Sequence, residues 1–274
     1  MGAVTRLVRP DNRRHQLVTA ALAPDILLGM PHLTPSGLSE TWLLKELAHR
    51  HWLMLGRIMG LDDADFRTSD GGEVYAAICA TALSGWGPSA VRANDILTID
   101  SSLAPASRTR MTSRHQLSID GRFLGEVELL SAFVHRANGA IARVRHPAFE
   151  HAVTTFAKSP LADRASLVRR GDLTAAGLPG RTGAAQHRHV FTPSQLQDFN
   201  GASLFYFANY QSVIDRAMET WFGCAAPMAN KQTYYVGNIA AGESIVVKHL
   251  GGPGHCLRME RSSGQPIAYQ ICLP

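Results

Sequence analysis

The chain has 274 residues, of which 45% are hydrophobic and 18% charged, and its formal net charge is +5. This balance predicts a folded globular protein of one large or two smaller domains, with no apolar run near the roughly 18 to 20 residues of a membrane-spanning helix. The basic N-terminus lacks a convincing secretory cleavage pattern, so we expect a cytoplasmic protein. The charge alone is compatible with a nucleic acid, a membrane surface or an acidic partner such as a phosphorylated carrier.

In chain order, the first element of interest is one of two segments that open with Gly-x-Ser and run into an apolar stretch. They begin at Gly37-Leu38-Ser39 and at Gly201-Ala202-Ser203. Both predict helices, and each Ser is placed at an N-cap or in a first turn, where each Gly permits close packing. After the first, Leu44, Leu47, His51, Leu55 and Ile58 follow helical periodicity; after the second, residues 204–221 are apolar almost all round.

Short strand-like runs with turn residues between them follow each helix. They are Glu73–Leu83, Asp95–Leu103, Thr109–Ile119 and Gly125–Arg136, then Gln232–Asn238, Glu243–Leu250, His255–Arg261 and Pro266–Leu273. A helix wrapped by an antiparallel sheet, present twice, predicts an α+β double hot dog, a pseudo-dimer in one chain. We place the first hot dog at 1–145, a connecting segment at 146–189 and the second at 190–274. Chance recurrence of Gly-x-Ser in an ordinary α+β domain is the alternative.

The segment from Gly29 to Trp52, GMPHLTPSGLSETWLLKELAHRHW, resembles the opening of the bifunctional acyltransferase/decarboxylase family known from leinamycin biosynthesis. The resemblance continues through VYAA at 74–77, RANDILTIDSSL at 92–103, the strand at 110–115, LLSAFVHRA at 129–137 and FNGASLFYFANYQSVIDR at 199–216. It covers most of the chain. The chain is short for the family, and Ala76 to Cys79 lack the aromatic residue expected there.

The resemblance implies a double hot dog enzyme that decarboxylates methylmalonyl-CoA and leaves a propionyl group on an acyl carrier protein, in a polyketide-type pathway. It also implies a catalytic tyrosine in the strand after the first helix, a place that Tyr75 occupies here. An acyl-CoA substrate and a carrier protein are therefore the expected partners. A homodimer through remaining sheet edges is left open.

Decarboxylation of a malonyl-type thioester gives an enolate, so the site must stabilise charge on the thioester oxygen in a desolvated pocket. This chemistry requires neither a cofactor nor a metal. The turns at Gly37 to Ser39 and Gly201 to Ser203 are candidate oxyanion sites, since a helix start carries free N–H groups and a positive dipole end. Ordinary capping of buried helices is the alternative.

Tyr75 has two candidate roles, as an acyl-accepting nucleophile or as a neutral hydrogen-bonding group that orients the substrate. A phenol has an ordinary pKa of about 10, so the first role needs a nearby base or positive charge. Without the resemblance, a half-buried strand tyrosine is the ordinary interpretation.

Three further polar residues are candidate substrate contacts. Asn94 precedes a strand, where an Asx turn is the ordinary explanation. Asn209 lies among aromatic residues and must find a hydrogen-bond partner, for which a substrate and a backbone carbonyl are equal candidates. His51 shares the apolar helix face, which favours a core histidine over a general base.

We predict no metal site. His49/His51 and His187/His189 are spaced i, i+2, which places the two rings on different faces of a helix. The widely separated cysteines, expected to be buried free thiols, are Cys79, Cys224, Cys256 and Cys272.

Arginines concentrate between residues 92 and 145, at Arg92, Arg108, Arg110, Arg114, Arg122, Arg136, Arg143 and Arg145. Some are candidates to bind a CoA diphosphate or an acidic carrier, and no nucleic-acid-binding motif accompanies them.

Two other functions remain open from sequence. One is a hot dog thioesterase or dehydratase, for which Glu40, Glu46 and Asp215 are the helix carboxylates available. The other is a hot dog that binds acyl carriers without turnover.

Overall fold

The structure is a computed structural model that describes residues 12–61, 63–68, 71–137, 140–143, 156–180, 185–223, 228–251 and 255–273. Cys224 and Arg145, named above as a candidate free thiol and a candidate anion-binding residue, lie outside the described residues, as do parts of the predicted connecting segment. No helix in the described part of the chain is both long and apolar enough to span a membrane.

The first half has one long helix and a set of long strands. Its elements are α1 (Asn12–Ala21), β1 (Asp25–Leu27), β2 (Leu33–Thr34), β3 (Gly37–Leu38), α2 (Glu40–Ile58), β4 (Phe66–Arg67), β5 (Glu73–Ser84), β6 (Ile96–Ser107), β7 (Arg110–Ile119), β8 (Arg122–Ala137) and β9 (Ala140–Arg143). Helix α2 begins where the Ser39 Oγ accepts a hydrogen bond from the Trp42 N–H, and it carries Glu40 in its first turn. Both features favour a helix start.

The second half repeats the arrangement after an additional helix. Its elements are α3 (Pro160–Arg170), β10 (His187–Phe191), α4 (Gln195–Asp198), α5 (Phe207–Phe222), β11 (Lys231–Tyr235), β12 (Ile245–His249), β13 (Cys256–Arg261) and β14 (Pro266–Cys272). Helix α5 buries Tyr210, Val213, Ile214 and Ala217 because it packs against the second half of the sheet.

One continuous sheet joins the two halves. The strand order is β1-β6-β7-β8-β5-β11-β14-β13-β12-β10, with β4 on β5 and β9 on β8. Strand β5 follows α2 after the two-residue β4, and β11 follows α5 directly. These two strands pair antiparallel from Lys231↔Leu83 to Tyr234↔Ala80. The double hot dog prediction is confirmed, since the halves share one sheet and each wraps its own helix.

Helix α3 covers the face of the sheet opposite α2 and α5. The neighbouring residues Leu129 and Leu130 of β8 point to opposite faces: Leu129 packs in the α2 core and Leu130 in the cluster that holds Leu161 of α3. The connecting segment was predicted only as a connection, yet it contains this helix, and β10 begins at His187, within the predicted range 146–189.

The prediction that the second Gly-x-Ser motif begins a helix is wrong. Helix α5 begins at Phe207, its N-cap is Tyr206, and no side chain caps it. Ser203 instead lies in a turn with a φ of 55°. Helix α5 therefore begins 207 − 40 = 167 residues after α2, whereas the two Gly-x-Ser motifs, at Gly37 and Gly201, are 201 − 37 = 164 residues apart. Ile58, predicted on the buried face of α2, is 57% exposed because it ends the helix.

Candidate functional site

A cavity of about 400 Å³ lies where the two halves meet. We call it the junction cavity. It is bounded by the side of α2, by β5, and by the loop that leads into α5. Its lining residues are Trp52, Ala64, Phe66, Val74, Tyr75, Ala76, Ala77, Ile78, Asn200, Gly201, Ala202, Leu204, Phe205, Tyr206, Phe207 and Asn238. The lining is largely apolar with a few polar groups, the usual character of a small-molecule site.

The start of helix α5 opens onto this cavity. Phe207, the first residue of the helix, lines the cavity, and neither its N–H nor that of Ala208 has a hydrogen-bond acceptor within the described residues. Unpaired N–H groups and the positive end of the helix dipole together favour an oxygen that carries negative charge. The arrangement can therefore favour an oxyanion at the start of α5 beside Phe207, with Ala208 one residue further into the helix and fully buried.

The loop before α5 is shaped by two asparagines. The Asn200 Oδ1 accepts hydrogen bonds from the Ala202 and Leu204 N–H groups at 3.1 and 3.0 Å. The Asn238 side chain bonds both backbone groups of Phe205, each at 3.0 Å. The dipeptide Asn200-Gly201 is a typical turn signal in the sequence. Asn238 follows β11, after α5 in the chain, and no local sequence signal links it to this loop.

The predicted oxyanion turns divide between two places. Gly201 lines the junction cavity, but Ser203 lines a neighbouring cavity of about 460 Å³ on the other side of the loop. Gly37 has a φ of +103°, and a Cβ there would lie 1.9 Å from the Pro88 oxygen, so close packing explains this glycine. Ser39 is the α2 N-cap, the ordinary alternative for that position.

The start of α2 is occupied by an ion pair. Glu40 accepts a hydrogen bond from the Lys231 Nζ at 2.5 Å, and the two side chains are 10% and 5% exposed. Burial raises the pKa of Glu40 above its ordinary value, although the ammonium of Lys231 opposes this rise. The pKa of Asp215, also buried near Lys231, is raised for the same reason.

Tyr75 lies on the cavity wall and is half-buried. Its hydroxyl donates a hydrogen bond to the Glu73 carboxylate, and an Arg67 nitrogen lies 3.7 Å from that carboxylate. A nucleophilic tyrosine needs a nearby base or positive charge, and groups of both kinds lie beside Tyr75. Glu73 and Arg67 were not singled out from the sequence, although the spacing Glu73-x-Tyr75 places both side chains on the same side of a strand.

His51 lies beneath α2 in a chain of hydrogen bonds. Its ring nitrogens are 2.7 Å from the Ser113 and Ser131 hydroxyls, and Ser113 also contacts His115 at 2.9 Å. Burial lowers the pKa of His51 to about 3, and burial lowers that of His115 to about 3 as well. His51 is therefore a hydrogen-bonded core histidine, the interpretation favoured from the sequence. It does not line the junction cavity.

The two remaining asparagines also lie away from the cavity. The Asn209 Nδ2 donates to the backbone oxygens of Gln197 and Asp198, at 3.4 and 3.2 Å, so backbone carbonyls are its partners. Asn94 is exposed, has a φ of 73° and donates its N–H to Leu28. Their predicted substrate contacts gain no support from these positions.

Of the singled-out arginines, two are engaged with the chain around α3. Arg110 donates to the Ala162 oxygen and the Ser166 hydroxyl, and Arg114 donates to the Lys158 oxygen. Arg108 and Arg122 are exposed.

No protein-family model and no curated protein matches this chain. Among solved structures, it is similar to a 12:0-ACP thioesterase from Umbellularia californica, with a TM-score of 0.65 and 9% identity over 90% of this chain and 94% of that one. It is also similar to an acyl-ACP thioesterase from Bacteroides thetaiotaomicron, with a TM-score of 0.61 and 7% identity over 90% and 94%. A protein from Lactobacillus plantarum assigned as an oleoyl thioesterase gives 0.64 and 12% over 91% and 95%.

The chain shares the hot dog fold of these proteins. At such identities the similarity shows the fold and leaves the reaction open. The resemblance to the acyltransferase/decarboxylase family stays a prediction.

Proposed function

We propose that this protein is an enzyme that acts on acyl thioesters bound in the junction cavity. The observation that carries the proposal is the uncapped start of α5, which opens onto a largely apolar cavity beside Tyr75. The thioester oxygen accepts hydrogen bonds from the Phe207 and Ala208 N–H groups, and the apolar walls hold the acyl group.

The reaction we propose is decarboxylation of methylmalonyl-CoA coupled to transfer of the acyl group to a carrier protein. The carboxylate leaves as CO₂, its C–C bonding electrons form the enolate, and C2 takes a proton from water to give propionyl-CoA. The carrier thiol then attacks the thioester carbonyl, and CoA leaves as the free thiol with the proton that the carrier thiol loses. The enolate oxygen is the charge that the α5 start would stabilise, and an apolar wall favours loss of a poorly solvated carboxylate.

The composition of the cavity wall favours this reaction. Its described lining contains no Asp, Glu or His, and decarboxylation needs none, because the electron pair comes from the bond that breaks. The helix carboxylates considered above are engaged elsewhere: Glu40 with Lys231, Glu46 with Arg50, and Asp215 with Gln211.

Thioester hydrolysis is the second candidate, and the fold similarity to acyl-ACP thioesterases favours it. A hydrolase needs a carboxylate that activates water or attacks the thioester. Glu73, which accepts the hydrogen bond of Tyr75, is the carboxylate placed for this role. A dehydratase would need a His with a carboxylic partner, and His51 has serine partners instead.

The test is intact-mass spectrometry after incubation with methylmalonyl-CoA, malonyl-CoA or propionyl-CoA, with and without a phosphopantetheinylated carrier protein. We expect a propionyl carrier, and not a methylmalonyl carrier, from methylmalonyl-CoA. Propionyl-CoA, the intermediate of this reaction sequence, should give the same propionyl carrier without loss of CO₂. Free acid without an acyl carrier would replace the transferase proposal with hydrolysis. A lack of turnover with every substrate would contradict both reactions and favour a carrier-binding protein.

A further inference from the structure

Strand β5 has an open edge inside the junction cavity. On the side away from β8, β4 pairs only with Glu73 and Val74, and β11 begins to pair at Ala80. No strand in the described part of the chain covers the five residues from Tyr75 to Cys79 on this side. Four of these five residues line the cavity.

The backbone groups of alternate residues point to this edge. The Ala76 oxygen accepts a hydrogen bond from the Trp52 Nε1 at 2.8 Å, so it faces away from the ladder with β8. Val74, two residues earlier, faces the same way toward Phe66 of β4. The register with β8 is regular up to Ile78, with its irregularity only between Ile78 and Ala80. By the same alternation, we assign the N–H and C=O of Ile78, the last residue before the β-bulge, to the open edge.

An unpaired strand edge beside an apolar cavity favours an occupant with matching hydrogen-bond groups. Ile78 is 7% exposed, and its side chain packs in the core, so its backbone groups have little access to bulk water. Buried backbone N–H and C=O groups are almost always hydrogen-bonded, and extended amide-bearing ligands bind such edges as an added strand.

We propose that this edge binds the pantetheine arm of the thioester, an inference that rests on the proposed function. The β-alanine unit of the arm has an N–H and a C=O on its two sides, as an amino-acid residue does. The Ile78 N–H donates to the β-alanine C=O, and the β-alanine N–H donates to the Ile78 C=O. This pairing lays the arm along β5, with its sulfur directed to the start of α5.

The test combines one protein change with one ligand change. The probes are S-propyl pantetheine, a thioether that cannot react, and the same compound with the β-alanine N–H replaced by an ester oxygen. Ile78→Pro removes the edge N–H, and proline is tolerated at strand edges. Ile78→Val is the matched control, because it shortens the side chain and keeps the N–H. Thermal unfolding verifies that both variants fold.

For the wild type and Ile78→Val, we expect the ester probe to bind about 3- to 10-fold more weakly than the amide probe, the usual effect of one hydrogen bond. We expect Ile78→Pro to weaken the amide probe by a similar factor. A pair of amide and ester probes built on CoA, and a matching pair built on the carrier, should show the same ratio of amide to ester affinity. The scaffold whose amide probe binds more tightly identifies the natural source of the arm.

Equal binding of the amide and ester probes to the wild type would overturn the strand-edge pairing while leaving the proposed function intact. Equal affinity of Ile78→Pro and Ile78→Val for the amide probe would do the same. If Ile78→Pro fails to fold, the wild-type comparison of the two probes still decides. No binding of any probe would contradict both the pairing and the proposed function.

Discussion

At Tyr75, one hydrogen bond bears on which of two chemical roles the phenol can take. The hydroxyl donates to Glu73, and a carboxylate in this position can accept the phenol proton when the oxygen attacks a thioester. The same bond would also hold a neutral phenol in place to orient the substrate. The structure therefore allows both roles, and kinetics separates them.

Tyr75→Phe tests the role directly. If Tyr75 is the nucleophile, we expect kcat to fall by at least about 10²-fold and the acylated protein to disappear from intact-mass spectra. If it only orients the substrate, we expect a loss of about 3- to 10-fold, the effect of one hydrogen bond. Unchanged kcat and KM would contradict both roles.

Glu73→Gln is the companion variant, since it keeps the side-chain size and removes the base. For a nucleophilic Tyr75, we expect kcat to fall at pH 7 and to recover partly as the pH rises and the phenol ionises without help. A pH profile identical to that of the wild type would show that Glu73 is not the base.

The two buried histidines predict acid-sensitive stability. The folded pKa of His51 and of His115 is about 3, below the ordinary 6.5, so the folded protein disfavours the charged rings. Their contribution to stability is complete above pH 6.5 and is lost as the pH falls from 6.5 toward 3. Each histidine should contribute about 1.4 kcal/mol per pH unit in that window.

Urea unfolding between pH 7 and pH 4.5 measures this slope. We expect His115→Gln to reduce the slope by about half of the histidine contribution, and the exposed His15→Gln, as a control, to keep the wild-type slope. A His115→Gln slope equal to that of the wild type would contradict the assignment.

At the scale of elements, the two central helices begin in different ways. Ser39 caps α2 with its hydroxyl, whereas Ser203 lies in a turn before α5 and caps nothing. We expect Ser39→Ala to lower the free energy of unfolding by about 1 kcal/mol, the usual loss for an N-cap. Ser203→Ala should change it by less than about 0.5 kcal/mol. Chemical denaturation measures both changes. Equal losses of stability would indicate that Ser203 caps a helix as Ser39 does, and would contradict the difference between the two helix starts.

The strands were predictable because their signals are local. Alternating apolar residues and glycine-containing turns placed β5, β7, β13 and β14 within a few residues of their positions in the structure. The start of α5 was not predictable in this way, because Gly201-Ala202-Ser203 repeats the local pattern of α2 while the chain turns elsewhere. Helix α3 did carry local signals, a capping Ser159 before Pro160 and Gly171 at its end.

The candidate site was only partly predictable. Tyr75 and Gly201 were singled out and both line the junction cavity. Trp52 and Asn238 were not, because the first reaches β5 from α2 and the second comes from a loop after β11. Trp52 and Asn238 line the same cavity only because the two halves pack together. Local sequence patterns do not predict how the halves pack.

At the scale of the whole molecule, the two helix starts differ in what they contain. The start of α2 holds the buried Glu40–Lys231 ion pair, and the start of α5 faces the junction cavity. The pair also joins the two halves, because Glu40 belongs to the first and Lys231 to the second. We infer that the α5 start is where substrate binds and that the ion pair serves the assembly of the halves.

Lys231→Met tests this division of roles. Removing one partner of a buried pair leaves the Glu40 carboxylate uncompensated, so we expect unfolding to become easier by about 3 kcal/mol at pH 8. The loss should be smaller at pH 5, where Glu40 can bind a proton. Urea denaturation at both pH values measures it.

The double variant Glu40→Gln/Lys231→Met is the control, since it removes both charges. We expect it to recover most of the lost stability. If the single variant unfolds as the wild type does at both pH values, the pair does not hold the halves together.

The most direct test of the central claim is a crystal structure of the protein with a CoA analogue whose thioester is replaced by an unreactive amide. We expect the analogue in the junction cavity, with its carbonyl oxygen about 2.7 to 3.2 Å from the Phe207 and Ala208 nitrogens and its acyl group beside Tyr75. An analogue bound at the start of α2, or in the neighbouring cavity at Ser203, would contradict substrate binding at the start of α5.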